Sequence, residues 1–304
     1  MMPSKSSGSV VLPQRPAALS FYEDGSRHLV VSTYELESEL SRKGSFFFLS
    51  DSVVVDSLPM SAGVFRFEVL PDGRIVAALT NGCLSMVDPR ISSVRDLMVA
   101  GARILLDVSV QDCKAITSDD HGLVHIVDLN NGKVQSFQAH TLPFTGEGCE
   151  VWSTAWIGEH CFVSGGEDAL LKVWDCRSNA KASALSAAHS SGVVCLKYED
   201  DLRLLSGSYD EHIRRFDMRM IGDPLIERNL GGGVWAIGYA GNHHLIVSCM
   251  YNGWCLIDEN NFNELESNHS LGDKLLYGAC FCPNCSLIAS CTFNNYTVNF
   301  EKLF

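Results

Sequence analysis

No run of about 18 apolar residues occurs anywhere in the chain, which excludes a membrane-spanning helix. Basic residues are scarce beside acidic ones: 23 Lys and Arg against 36 Asp and Glu, a formal net charge of −13. Phosphate binding needs clustered Lys and Arg, so direct nucleic-acid binding is not expected. The first twenty residues lack the basic segment and apolar core of a secretory signal. The twelve cysteines therefore read as free thiols in a reducing compartment, and the expected location is the cytoplasm. There is no G-x-S-x-G elbow, and the C-x-x-C of Cys282 and Cys285 has no second pair at zinc spacing. A conventional serine hydrolase and a structural zinc are both disfavoured, and neither metal nor cofactor is expected. What the chain does have is material for a core: 304 residues, 46% hydrophobic and only 19% charged.

It also has a repeat. Aspartates that close an apolar or aromatic run fall at Asp88 (MVDPR), Asp128 (IVDLN), Asp175 (VWDCR), Asp217 (RFDMR) and Asp258 (LIDEN), at gaps of 40, 47, 42 and 41 residues. That is the period of a WD-repeat blade, roughly 40–45 residues. Each aspartate follows a turn signal: Asn81-Gly82, Asp120-His121-Gly122, Glu167-Asp168, Tyr209-Asp210 and Asn252-Gly253. Two degenerate copies lack the aspartate. One has strands over 276–281, 287–290 and 297–300, and the other has strands over 17–21, 29–33 and 45–49 with a polar linker at 35–43. The expected fold is all-β: a seven-bladed WD-repeat β-propeller forming a single domain over 1–304. Residues 1–8 are expected to be flexible. Residues 9–12 are expected to be a strand that completes the last blade and closes the ring, which would remove exposed sheet edges.

Antiparallel connectivity predicts which loops share a rim. The segments leading into first strands (141–150, 190–192, 228–233, 270–274) should lie beside the turns joining second and third strands (166–169, 209–212, 251–253, 293–295). The segment 141–150, TLPFTGEGCE, accounts for the 47-residue gap and is an insertion on this rim. Loops carried by a rigid scaffold are where function concentrates.

His189, Ser206, Ser208 and Asp210 look like a Ser-His-Asp triad. WD repeats use the same residue types to tie a blade together, and a triad is recognised by geometry, so blade construction is the stronger reading. His140 reads the same way. Glu211 and His212 share the turn of Asp210 but are not needed by the blade. They are the candidate catalytic pair, an acid and an imidazole that orient and deprotonate a water, weighed against a merely solvated turn. Glu147 and Glu150 in the insertion are similar candidates. Trp152 and Trp235 hold equivalent places at the starts of first strands and are expected near the mouth of the central channel. Tyr209, Tyr251, Trp254 and Tyr277 belong to the same rim. Aromatic rings near acids suit a quaternary ammonium group, against ordinary packing between blades.

Several strings together resemble one family. GSYDEHIRRFDMR (207–219), GGGVW (231–235), CMYNGWCLID (249–258), HSLGDKLLYGACF (269–281) and IASCTFNNY (288–296) are similar to the WD-repeat diphthine methyl-ester hydrolases of diphthamide biosynthesis. Upstream, a histidine, an insertion and Glu150-x-Trp152 before SGGEDALLKVWDCR (164–177) fit the same pattern, so the resemblance runs from about His140 onward. Phe216 departs from it, standing where the blade-closing Trp is expected. The resemblance implies a carboxyl-ester hydrolase that removes the methyl ester from methylated diphthine, a modified histidine of translation elongation factor 2, releasing methanol. It implies that factor as partner, with the chain acting as a monomer. On this reading Trp152, Trp235 and Tyr277, with Tyr209, Tyr251 and Glu150 around them, receive the trimethylammonium group. Backbone N–H groups of Gly231, Gly232 and Gly233 hold the oxyanion. The competing expectation is a non-catalytic WD-repeat scaffold or adaptor, since fold alone never implies chemistry.

Overall fold

The structure, a computed structural model, describes residues 7–24, 27–38, 41–50, 52–177, 182–199 and 202–303. These residues form seven four-stranded antiparallel sheets, the blades of a seven-bladed β-propeller, and a two-stranded ribbon. Blades 1 to 6 span 16–59, 64–98, 105–138, 151–186, 193–229 and 236–268, and blade 7 comprises 276–302 with the strand Ser7–Val11. No helix among the described residues is long and apolar enough to cross a membrane.

The periodic aspartates have a local cause. Asp88, Asp128, Asp175, Asp217 and Asp258 each end a third strand, and each carboxylate accepts the backbone N–H two residues on, at 2.9–3.2 Å. The side chain thus replaces the ladder bond lost where the strand stops. The turns between second and third strands share a second device, a residue with positive φ at one fixed place. It is Gly82, Gly122 and Gly253 in three blades, but Ala169, Glu211 and Tyr296 in three others.

Ser7–Val11 pairs with Thr297–Lys302, from Ser7 opposite Glu301 to Val11 opposite Thr297. This strand starts two residues earlier than expected, because Ser7 and Gly8 still find partners, and ends before Leu12. Residues 1–6 lie outside the described residues. The polar linker at 35–43 contains the ribbon, Glu35–Leu36 against Arg42–Lys43.

The described residues fall into two compact units. One, up to Val64 and from Trp235 onward, carries blades 1, 6 and 7. Its apolar clusters include Leu29, Val31, Phe47, Ala289 and Val298, and separately Ile246, Trp254, Leu276 and Ile288. The other, 65–234, carries blades 2 to 5 and buries, among others, Val163, Leu171, Val193, Leu204 and Phe216 together. Inward alternation of Val, Ile and Leu along short strands produces each cluster, and complete burial of such a side chain stabilises by about 1.5–3 kcal/mol. All twelve cysteines are free thiols.

Candidate functional site

The triad-like residues build the blades. In blade 4, Trp174 Nε1 donates to Ser164 Oγ (2.8 Å), Ser164 bonds His140 Nε2 (2.7 Å), and His140 Nδ1 bonds Asp168 Oδ1 (2.7 Å). Blade 5 repeats this with Ser206, His189 and Asp210, at 2.7 and 3.2 Å. Phe216 has no N–H to add, so that chain is one link shorter. Burial lowers both histidines below the usual imidazole range, although their aspartates pull the other way. Neutral, buried and committed on both nitrogens, neither histidine serves a substrate. Trp254 is also part of the interior. It is fully buried and donates to Glu301 Oε1 at 3.0 Å.

Leading loops and second-to-third turns do meet. Glu167 N donates to Glu150 O (2.9 Å), Tyr209 N to Gly192 O (3.0 Å), and Asn294 N to Lys274 O (3.0 Å). In the 65–234 unit this brings together one cluster. The Trp152 ring stands edge-on to Tyr209, centroids 5.9 Å apart, and stacks on Phe65 at 6.4 Å. Its Nε1 donates to Glu167 Oε2 at 2.6 Å. Gly192 makes room for that carboxylate, since an added Cβ would lie 2.5 Å from it. Burial raises the Glu167 carboxyl above its ordinary value. The indole bond works against this, while the charges of Glu150 and Asp168 reinforce it.

Glu167 is the residue that sequence reasoning missed. It was visible only as half of a turn signal. The available signal was positional: it precedes the turn aspartate, where blade 5 has Tyr209.

Glu211 and His212 sit at the other end of their turn. Glu211 occupies the left-handed position with φ 68°, and its carboxylate accepts from Asn229 Nδ2 at 3.3 Å. His212 opens the third strand opposite Asn229, and its Nδ1 is 2.7 Å from the Asp210 carbonyl. The contacts of both residues thus run to the outermost strand and to their own turn. Gly231 N is already committed to Asn229 Oδ1 at 2.8 Å.

In the other unit, Trp235 is buried and stacks on Tyr277 (5.0 Å), which packs against Phe293 (4.6 Å), itself 5.3 Å from Tyr34. A cation already lies on this cluster. The Arg15 guanidinium sits 5.0 Å over Phe293 and 5.4 Å over Tyr296. Tyr251 is exposed, at 71%. Among the described residues no group of three or more His, Cys, Asp and Glu is arranged to hold a metal ion.

Comparison with known proteins agrees with this architecture. The WD domain, G-beta repeat, matches residues 132–175 and 183–217. A chain in the crystal structure of the mitotic checkpoint complex superposes with a TM-score of 0.77 over 98% of this chain and 91% of its own. At 16% identity, that likeness shows the fold alone. Among curated proteins, the diphthine methyltransferase of Homo sapiens is 34% identical over 186 residues, 56% of this chain and 40% of that protein. The Mus musculus protein of the same name is 31% identical over 185 residues (56% and 38%). That of Saccharomyces cerevisiae is 31% identical over 163 residues (43% and 42%). The chain spans about two fifths of the length of these relatives.

Proposed function

We propose that the chain is a carboxyl-ester hydrolase of diphthamide biosynthesis, removing the methyl ester of methylated diphthine on translation elongation factor 2. The likeness to proteins named diphthine methyltransferase supports the pathway. The observation that carries the reading is the cluster of Trp152, Tyr209 and Glu167, two rings and a carboxylate in mutual contact. Such a group suits a trimethylammonium head, which rings and acid attract together. The ester lies on the carbon that bears that head, so it comes within reach of Glu167 too. A carboxylate raised by burial is a better base near neutral pH than an exposed one. It takes a proton from water, the hydroxide attacks the ester carbonyl, and the intermediate expels methoxide, which leaves as methanol with that proton.

Glu211 and His212 are the second choice for water activation, and the backbone N–H groups of Gly232 and Gly233 are candidates for the oxyanion. Tyr251 and the half-buried Tyr277 offer a separate aromatic surface to the substrate protein, whereas Trp235 lies buried beneath Tyr277. The acidic chain, acting as a monomer in the cytoplasm, suits a cationic protein loop and needs no cofactor.

The test is purified chain with purified methylated elongation factor 2 and nothing else. Methanol release, with the factor losing one methylene in mass, is the expected result. Loss of release in Glu167→Gln, with Glu211→Gln and His212→Asn active, assigns the base to Glu167. No methanol at stoichiometric protein overturns hydrolysis and favours a scaffold. A mass gain that requires an added methyl donor would instead mean transfer to diphthine.

A further inference from the structure

The segment 141–150, which lengthens one repeat, runs directly into Trp152 and belongs to the same 65–234 unit as the candidate site. It is a closed arm rather than an open loop. Thr141 bridges Gly148, Leu142 N donates to Glu147 O (2.8 Å), and Gly146 N donates back to Leu142 O (2.9 Å). Gly146, at φ 72°, makes the reversal, and Glu147 N adds a bond to Thr145 Oγ1 (3.2 Å).

The root of the arm is fixed to two blades. Gln138 Nε2 donates to His121 O (3.2 Å), in a turn of blade 3, and to His140 O (2.8 Å). His140 is tied in turn to Ser164 and Asp168 of blade 4. Gly148 lies so close to the blade 3 turn that an added Cβ would collide with His121 O. At the other end Cys149 is buried, and Glu150 O accepts from Glu167 N (2.9 Å). The arm and the acid of the candidate site therefore share a bond.

This anchored arm carries its apolar side chains outward. Leu142 is 36% exposed and Phe144 99% exposed. A single exposed apolar residue on a surface is ordinary. Here a whole phenyl ring is held in water by a bonded arm, next to a cluster of two rings and an acid, and the core of the chain gains nothing from it. The charges of the arm are of one sign: Glu147 on its return limb and Glu150 at its base, with no Lys or Arg over 141–150.

We infer that the arm is a docking element for the substrate protein: Phe144, with Leu142 beside it, enters an apolar recess flanked by Lys or Arg near the modified residue. The inference rests on the reading of the site given above and deepens it. The arm is continuous with that site through Glu150 and Trp152, so a polypeptide presenting its modified residue to Trp152 has the arm at its flank. The acidic side chains favour a basic surface. Because its own bonds already hold the arm in shape, little ordering entropy is lost on docking, and burial of an aromatic anchor goes into affinity. A site that met only the trimethylammonium head would treat a free amino acid and a whole protein alike. The arm adds a contact that only a protein can fill.

Calorimetric titration of the whole chain with purified methylated elongation factor 2 tests it, comparing the parent with Phe144→Ala, Phe144→Leu and Glu147→Lys. At 99% exposure the ring adds nothing to the fold, so its variants fold as the parent does. Phe144→Ala is expected to weaken binding by about tenfold to a hundredfold. Phe144→Leu should stay within about fivefold of the parent, and Glu147→Lys should weaken binding by about threefold or more. Equal affinity of the parent and Phe144→Ala, a loss in Phe144→Leu as large as in Phe144→Ala, or no binding of the parent overturns the inference. Undiminished binding of Glu147→Lys overturns the basic character of the partner surface. Methanol release from the same samples separates this result from the hydrolase reading. Release without any effect of Phe144→Ala on affinity overturns the docking arm alone, whereas Phe144-dependent binding without release supports the arm and overturns hydrolysis alone.

Discussion

Glu68 lines a pocket of about 740 Å³ between the first strands of blades 2 to 5, together with Arg66, Asp107 and Lys197, and replacing it with Gln measures what its burial costs the fold. The amide is nearly isosteric and still accepts from Val110 N, so packing and that hydrogen bond persist. What changes is the charge. With its carboxyl at about 7 against an ordinary 4.5, the folded chain keeps a proton that the unfolded chain has lost. Stability from this group is therefore full below about pH 4.5, falls as pH rises toward about 7, and levels off above. Once both states are ionised, the cost is about 3 kcal/mol. Arg66, Asp107 and Lys197 line the same pocket and are unchanged by the substitution, so the pH dependence of the difference between variant and parent reports on Glu68. In urea unfolding at matched ionic strength, Glu68→Gln should be more stable than the parent by about 3 kcal/mol at pH 8, and by less than about 1 kcal/mol at pH 5. A difference that is the same at both pH values, or a variant less stable at pH 8, would refute the burial argument.

Other expectations follow from the same geometry. Asp119 is fully buried, and burial alone would raise it. His125, whose Nε2 lies 3.4 Å away, and bonds from Arg103 and the Leu123 and His121 amides outweigh this and hold it at about 2. Asp119→Asn should cost about 2 kcal/mol at pH 7, and the deficit should vanish as pH falls from about 4 to about 2. Arg215 and Glu199 form a buried bidentate pair at 2.8 and 2.9 Å. Arg215→Met should cost about 3–5 kcal/mol in urea melts, and adding Glu199→Met should recover most of it, because the loss comes from the stranded charge. Glu211→Gly should raise stability by up to about 1 kcal/mol, since φ is 68° there and glycine adopts that region freely. If methanol release survives that change, Glu211 is not the base.

The sequence alone determined the blade count and the blade boundaries. Aspartates closing third strands and left-handed turns are local devices, each made within a few residues, so their period could be read directly. The histidine ties were legible for the same reason: His140 with Asp168 and His189 with Asp210 connect residues at fixed places within one repeat. The candidate site was legible only in part. Trp152 and Tyr209 could be named because equivalent positions recur, but the bond from Trp152 to Glu167 depends on how a leading loop folds onto a turn fifteen residues away. The reach of Glu211 toward the outer strand was likewise invisible, because a turn sequence does not say which edge its carboxylate faces. The pocket was not legible at all. Arg66, Glu68, Asp107 and Lys197 look like ordinary charges on alternating strands, spread over more than 130 residues. Only the packing of first strands from several blades removes their water and brings them together. Desolvation by distant chain segments is a property of the tertiary structure, and it turns surface-like residues into a half-enclosed charged cluster with shifted titration.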